Sequence, residues 1–296
     1  MPRRKTSLRM WLNQESTAGY FFAAPFIIGF VVFIVVPMLM SLYFSFCDYN
    51  ILSPAKWIGF ENFKNLFKDP KFWKSLTVTL KYAFFSVPLK LIFSLLVALL
   101  LLRSTKLTPI YRGMYYLPSI MGASVAVSVL WKQLFGNDGV INHIFGIHIS
   151  WLGSPSTAIW VLILLSVWQF GSSMLIFLSA MKQIPQELYE AARVDGAGPV
   201  KQFFTITLPL LTSTIFFNLI MQMINGMLVF AQGQIITAGK PMDSTLFYVL
   251  YLYNQAFKFN NMGYASAMGW IMIAIIAILT GILFGTKKLW VYEGGY

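Results

Sequence analysis

At 296 residues, 57% of them hydrophobic and 11% charged, with a mean hydropathy of +0.68, the chain is too apolar for a soluble globular domain. Its net charge of +12 would suit nucleic acid, yet the basic residues cluster beside apolar runs and form no extended patch. That argues against a nucleic-acid partner and for topology signals. The single cysteine, Cys47, excludes an internal disulfide and a cysteine-based metal cluster.

Residues 1–19 carry Arg3, Arg4, Lys5 and Arg9, a basic flank expected to stay in the cytoplasm. A first span is predicted from about Tyr20 to Phe46, long enough to cross a bilayer with tilt. No small-residue cleavage site follows closely, so it reads as a retained span. Pro25 and Pro37 can kink it where neighbouring helices satisfy the freed carbonyls. Residues 47–75 then leave the membrane. Within them WIGFENFKNLF spaces Trp57, Phe60, Phe63 and Phe67 as a helix does. A short interfacial helix and a surface loop packed on neighbouring helices fit that spacing equally well.

A second span, about Tyr82 to Leu102, contains Lys90. A cation near a helix centre costs about 2.5–3.5 kcal/mol on insertion scales. Lys90 lies about two turns from the outer edge, which favours snorkelling or an interhelical bond over a polar pathway contact. Arg103, Lys106 and Arg112 place the next loop inside. The third span is predicted at about Gly113 to Phe135, with Pro118 as a kink and Gly122, Ala123 and Ser124 allowing close helix approach. Asn137-Asp138-Gly139 marks a turn in the outer loop that follows, and His143 and His148, with no carboxylate beside them, read as exposed residues and not as metal ligands.

The remaining spans are about Thr157 to Met181, Ile206 to Phe230 and Gly263 to Gly285, the last followed by Lys287-Lys288. Six spans make an all-α membrane protein with both termini inside, a membrane domain over residues 20–288 and a cytoplasmic tail at 289–296. Lys56, Lys64, Lys68, Lys71 and Lys74 on the first outer loop dilute the charge asymmetry on which that orientation rests.

All ten acidic residues fall outside these spans, which weighs against proton- or cation-coupled transport. No nucleophile elbow, zinc-protease motif or phosphate-cradling loop is present. Any nucleotide that drives this protein must bind another subunit. The spans do carry neutral polar groups: Trp168, Gln169, Ser172 and Ser173 in the fourth, and Asn218, Gln222 and Asn225 in the fifth. The last three stand at i, i+4 and i+7, on one helix face. They can line a pathway for a polyhydroxylated solute, which amides would hydrogen-bond and aromatics would stack against, or they can tie helices together.

One charged segment, Ile184 to Leu211, interrupts the apolar pattern. Pro185 suits a first helical position, Glu187 and Glu190 lie near the helix N-terminus, and Gly196 after Asp195 is a stop signal. Glu190-Ala191-Ala192, Asp195-Gly196-Ala197 and Ile206-Thr207-Leu208-Pro209 resemble the EAA motif of permease subunits in bacterial ABC importers. WIGFENFKNLF, YYLPSIMGASVAVSVLWKQLF, GNDGVIN, IPQELYEAARVDGAG and GYASAMGW extend the resemblance to the maltose and glycerol-phosphate permeases over nearly the whole chain.

The resemblance implies a type I importer fold with a cytoplasmic coupling helix at 184–205. Glu187, Leu188, Glu190, Ala191, Ala192, Asp195 and Gly196 would then seat in a cleft of an ATPase subunit. It also implies four kinds of company: a second homologous permease, two ATPase subunits holding ATP and magnesium, an extracytoplasmic solute-binding protein, and a sugar or oligosaccharide. This chain itself would hold no cofactor and catalyse nothing. In such permeases the membrane site lies on the spans flanking the coupling helix, which points to Trp168, Gln169, Ser173, Gln222 and Asn225. Two departures stand out: Gly239-Lys240-Pro241 replaces the relatives' Gly-Gly-Pro, and Thr212-Ser213-Thr214 stands where many have a further proline.

Overall fold

A computed structural model describes residues 15–102, 107–122 and 124–292, with side chains from Gly19 onward. Arg3, Arg4, Lys5, Arg9, Arg103, Lys106, Ala123 and the 293–296 end of the predicted tail lie outside the described residues. Four helices are long and apolar enough to cross a membrane: Gly19–Ser45, Pro70–Leu102, Pro199–Ile236 and Met262–Trp290. Two bent helix pairs bring the number of candidate spans among the described residues to six.

The chain forms two compact units. One comprises the described residues through Leu66 together with Gln255–Trp270; the other comprises Phe67–Asn254 and the described residues from Ile271 onward. In the first unit, α1 (Glu15–Phe30) and α2 (Val36–Ser45) are joined by a π-turn, Val31–Val35. Pro37 stands two residues past its end. Its ring crowds the carbonyl four residues back, and the chain answers with a wider turn in which the Val36 N–H reaches Val31 O.

After α2 a short hairpin pairs β1 (Cys47–Asp48) with β2 (Lys56–Trp57). Gly59, at φ 63°, then turns the chain into α3 (Glu61–Lys68). Asn62 holds this corner, its Nδ2 donating to the Ser45 and Cys47 carbonyls at 2.9 Å each. Phe46 packs on Trp57, Phe60 and Phe63 with ring centroids 5.2–5.4 Å apart. Both sequence readings of WIGFENFKNLF are thus partly realised: its second half is helical, and its aromatics pack on one another and on Phe46.

In the second unit α4 (Pro70–Leu102) packs against α8 (Ala158–Trp168), α9 (Gly171–Lys182) and α12 (Leu208–Met227). Val87, Leu91, Ala98, Met174, Phe177 and Leu211 form the centre of its core. α4 begins at Pro70, well before the predicted Tyr82. Pro70 is tolerated in the first turn, and Asp69 Oδ1 accepts the Lys71 N–H at 2.8 Å, so the start is capped where hydropathy alone saw a loop.

The third predicted span is not one helix. α5 (Thr108–Met121) and α6 (Val125–Leu134) lie at 97° to each other. Ser124 restarts the helix, its backbone extended at ψ 149° and its Oγ accepting the Val127 N–H. The fourth span also breaks, with 42° between α8 and α9. There the Ser119 hydroxyl donates to Gln169 O and accepts from Ser172 N, both at 3.0 Å, repairing the interrupted backbone bonding. Gly171 passes so close to α5 that a Cβ would overlap Tyr115 O and come within 2.7 Å of Tyr116 Cα.

Beyond α6, α7 (Val140–Phe145) follows Gly139, and Asn142 bonds Asn137 O, Ile149 O and the Trp151 indole. His143 and His148 are exposed. A second π-turn, Phe203–Thr207, precedes α12 and again ends two residues before a proline, Pro209. After α12 come two short helices that sequence reading did not foresee, α13 (Ala231–Ile236) and α14 (Tyr248–Tyr253). Tyr248 is buried, and its N–H donates to Thr79 Oγ1 on α4 at 2.8 Å. The last helix, α15 (Met262–Trp290), outruns the predicted Gly285 and takes in Lys287 and Lys288, cations that suit a helix C-terminus.

Candidate functional site

A cavity of about 270 Å³ opens between the two broken or flanking elements of the second unit. That is near the lower end of the ~300–1,000 Å³ usual for small-molecule sites. α4 contributes Tyr82, Ser86 and Lys90; the α8 end contributes Ser166 and Gln169; α12 contributes Gln222 and Asn225; Phe230 and Gln232 close it. The Gln169 and Gln232 Nε2 atoms both donate to Gly122 O at 3.2 Å. Gly122 must lack a side chain for this, because a Cβ there would overlap the Gln169 stem. Gln222 Nε2 donates to Ser173 Oγ at 3.1 Å. Each of these amides carries a second N–H and an acceptor oxygen, so anchoring by one bond leaves hydrogen-bonding capacity for a ligand.

Of the residues singled out from the sequence, Gln169, Gln222 and Asn225 meet on the cavity wall. Ser173 is buried behind it as the acceptor of Gln222. Trp168 packs against Trp131, the rings tilted at 37° with centroids 5.6 Å apart, off the wall. Asn218 is buried and donates to Thr214 O one turn back at 3.0 Å, also off the wall. The amide stripe of α12 therefore divides, its outer two members facing the cavity and its inner one satisfied within the helix. Lys90, for which snorkelling or an interhelical bond was expected, sits on the wall itself.

Sequence reading missed Tyr82, Ser86, Ser166 and Gln232. The first two were within its reach: Tyr82, Ser86 and Lys90 stand at i, i+4 and i+8, the same one-face spacing that singled out α12.

Below the α9 end the charged segment folds as α10 (Gln186–Val194) and α11 (Pro199–Gln202). α10 ends in a Schellman motif. Gly196 takes φ 75°, its N–H donates to Arg193 O at 3.0 Å, and the Ala197 N–H reaches Ala192 O at 2.8 Å. Glu187, Leu188, Glu190, Ala191, Asp195 and Gly196 are exposed and Ala192 is half-buried; no residue of α10 is fully buried. Val194 is 88% exposed and Val200 71%, an apolar surface that this chain leaves uncovered. On its other side α10 is tied down: the Tyr189 hydroxyl shares a hydrogen bond with Thr207 Oγ1 at 2.9 Å, where the second π-turn ends.

Known proteins resemble this chain in sequence and in fold. A permease described as a probable ABC transporter permease, YesP of Bacillus subtilis, is 52% identical over 95% of this chain and 94% of its own length. The lactose transport system permease protein LacF of Rhizobium radiobacter is 32% identical over 90% of this chain and 92% of its own. A crystal structure of a bacterial ABC transporter that imports the acidic polysaccharide alginate superposes with a TM-score of 0.82 at 22% identity, covering 95% of this chain and 98% of that one, and so shares the fold. The profile of the binding-protein-dependent transport system inner membrane components matches residues 65–286. On that match, and on relatives aligned nearly end to end, this chain belongs to the family of ABC transporter permeases that serve as those inner membrane components.

Proposed function

We propose that the chain is the permease subunit of an ATP-driven importer of a sugar or oligosaccharide, and that it forms half of the translocation pathway. The observation that carries this is an amide- and hydroxyl-lined cavity between α4, the α8–α9 break and α12, with the exposed α10 turn in the segment that joins α9 to α12. Amides bond sugar hydroxyls, and Phe230 offers a ring to a sugar face. The names of relatives agree: lactose for LacF, starch degradation products for AmyD of Thermoanaerobacterium thermosulfurigenes, arabinooligosaccharides for AraP of Bacillus subtilis.

In this reading both termini and α10 are cytoplasmic. The exposed Leu188, Ala191 and Val194 seat in an ATPase subunit, and Glu190 pairs at the rim of that cleft. ATP and magnesium are held by two such subunits and no cofactor by this chain. A second permease completes the pathway, and an extracytoplasmic binding protein delivers the solute. ATP-dependent oligosaccharide uptake by the reconstituted complex, absent when this chain is reconstituted alone, is the expected result. Uptake by the chain alone would make it a secondary transporter instead.

A further inference from the structure

Among the described residues, Lys90 is the one charged side chain on the cavity wall; every other polar group there is an amide or a hydroxyl. No acidic residue shares that wall, and all ten acids of the chain lie outside the spans. A cation held at that depth without a carboxylate is costly, and such groups mark solute or ion pathways. A neutral sugar offers it only hydroxyls. A carboxylate offers a charge-assisted bond, roughly twice as strong as a neutral one, in a setting that screens little.

We propose that Lys90 binds the carboxylate of an acidic sugar, so that the solute is a uronate-containing oligosaccharide; this rests on the carbohydrate reading above. Gln222 and Asn225 line the same cavity from α12 and would take the hydroxyls, while Phe230 would supply the apolar face. A lysine is a compact point charge on a flexible stem and lacks the planar fork of arginine. The site therefore reads the charge of a uronate more than its stereochemistry.

The test uses the whole importer with its binding protein in proteoliposomes. ATP-driven uptake is measured for di- and trisaccharides containing glucuronate, galacturonate or mannuronate, each beside its neutral methyl ester, and for lactose and maltotriose. At least one free acid is taken up, and Lys90→Met slows it about ten- to a hundredfold, the worth of a hydrogen bond to a charged group. Lys90→Arg retains most of the rate, and size-exclusion shows both complexes intact. Unchanged uptake of the acid in Lys90→Met overturns the proposal. So does uptake of neutral sugars with every acid refused, which leaves the carbohydrate reading standing. So does a Lys90→Met complex that falls apart, since the lysine then serves assembly. If no carbohydrate enters, the carbohydrate reading itself fails, and this one with it.

Discussion

The Gln222 amide donates to the Ser173 hydroxyl at 3.1 Å, tying α12 to α9 at the cavity, on the two helices that the α10 segment connects. The bond closes a loop of structure through α9, the α10 segment and α12.

Gln222→Leu removes that tie and leaves a buried serine without a partner, a loss of about 1–3 kcal/mol. Oligosaccharide uptake by the assembled importer should fall about tenfold, and Asn225→Leu should act in the same direction. If uptake kinetics match wild type with the complex intact, the two amides are packing and the cavity is not the pathway.

Gly171→Val places side-chain atoms on the Tyr115 carbonyl and Tyr116 Cα, both backbone atoms that cannot step aside. Overpacking of this kind costs about 1–3 kcal/mol. A thermal-denaturation midpoint lowered by several degrees in detergent is expected, with Ser172→Ala as a nearby control that loses a half-buried hydroxyl only. An unshifted midpoint would show that α5 and α9 do not meet there.

Gly196→Pro cannot adopt φ 75° and deletes the N–H that donates to Arg193 O. Glu190→Lys reverses a charge on the exposed face of α10. Both should uncouple solute-stimulated ATP hydrolysis or release the ATPase subunits, read by hydrolysis rate and by co-purification. Stimulation at the wild-type level in both variants would sink the docking role of this turn.

Tyr189→Phe cuts the tether to Thr207 and nothing else. About 0.5–1.5 kcal/mol of local stability goes with it, so hydrogen exchange over residues 186–207 should quicken while that of α4 stays as it was. Equal exchange across the segment in both proteins would mean the hydroxyl pair contributes nothing to holding α10.

Much of this architecture was legible in the apolar runs. The spans around Tyr20, Tyr82, Ile206 and Gly263 all exist, because eighteen or more apolar residues leave the backbone no choice but a helix in lipid. Direction was not legible. Hydropathy sums composition, so the run from Gly113 to Phe135 reads as one span kinked at Pro118, whereas Ser124 caps a new helix at 97° to the old one. The start at Pro70 is signalled by Asp69 accepting the Lys71 N–H, a local cue that hydropathy does not register. At the site, helical spacing put Asn218, Gln222 and Asn225 on one face, but how deep a cavity reaches along a face depends on what packs opposite. The depth of Lys90 was reckoned along the helix axis toward water, and the cavity instead opens sideways from α4.

Cys47 is the chain's sole cysteine, wholly buried at the corner held by Asn62, with Gly263 pressed against its carbonyl. Its thiol is shielded from reagents, and the neighbours that matter there are backbone atoms, so Cys47→Ala should be well borne. Thiol chemistry on this subunit accordingly starts from a silent background. A cysteine placed at exposed Val194 becomes the sole reporter, and the protection it gains when ATP is added to the assembled complex maps what covers α10, moment by moment through the transport cycle.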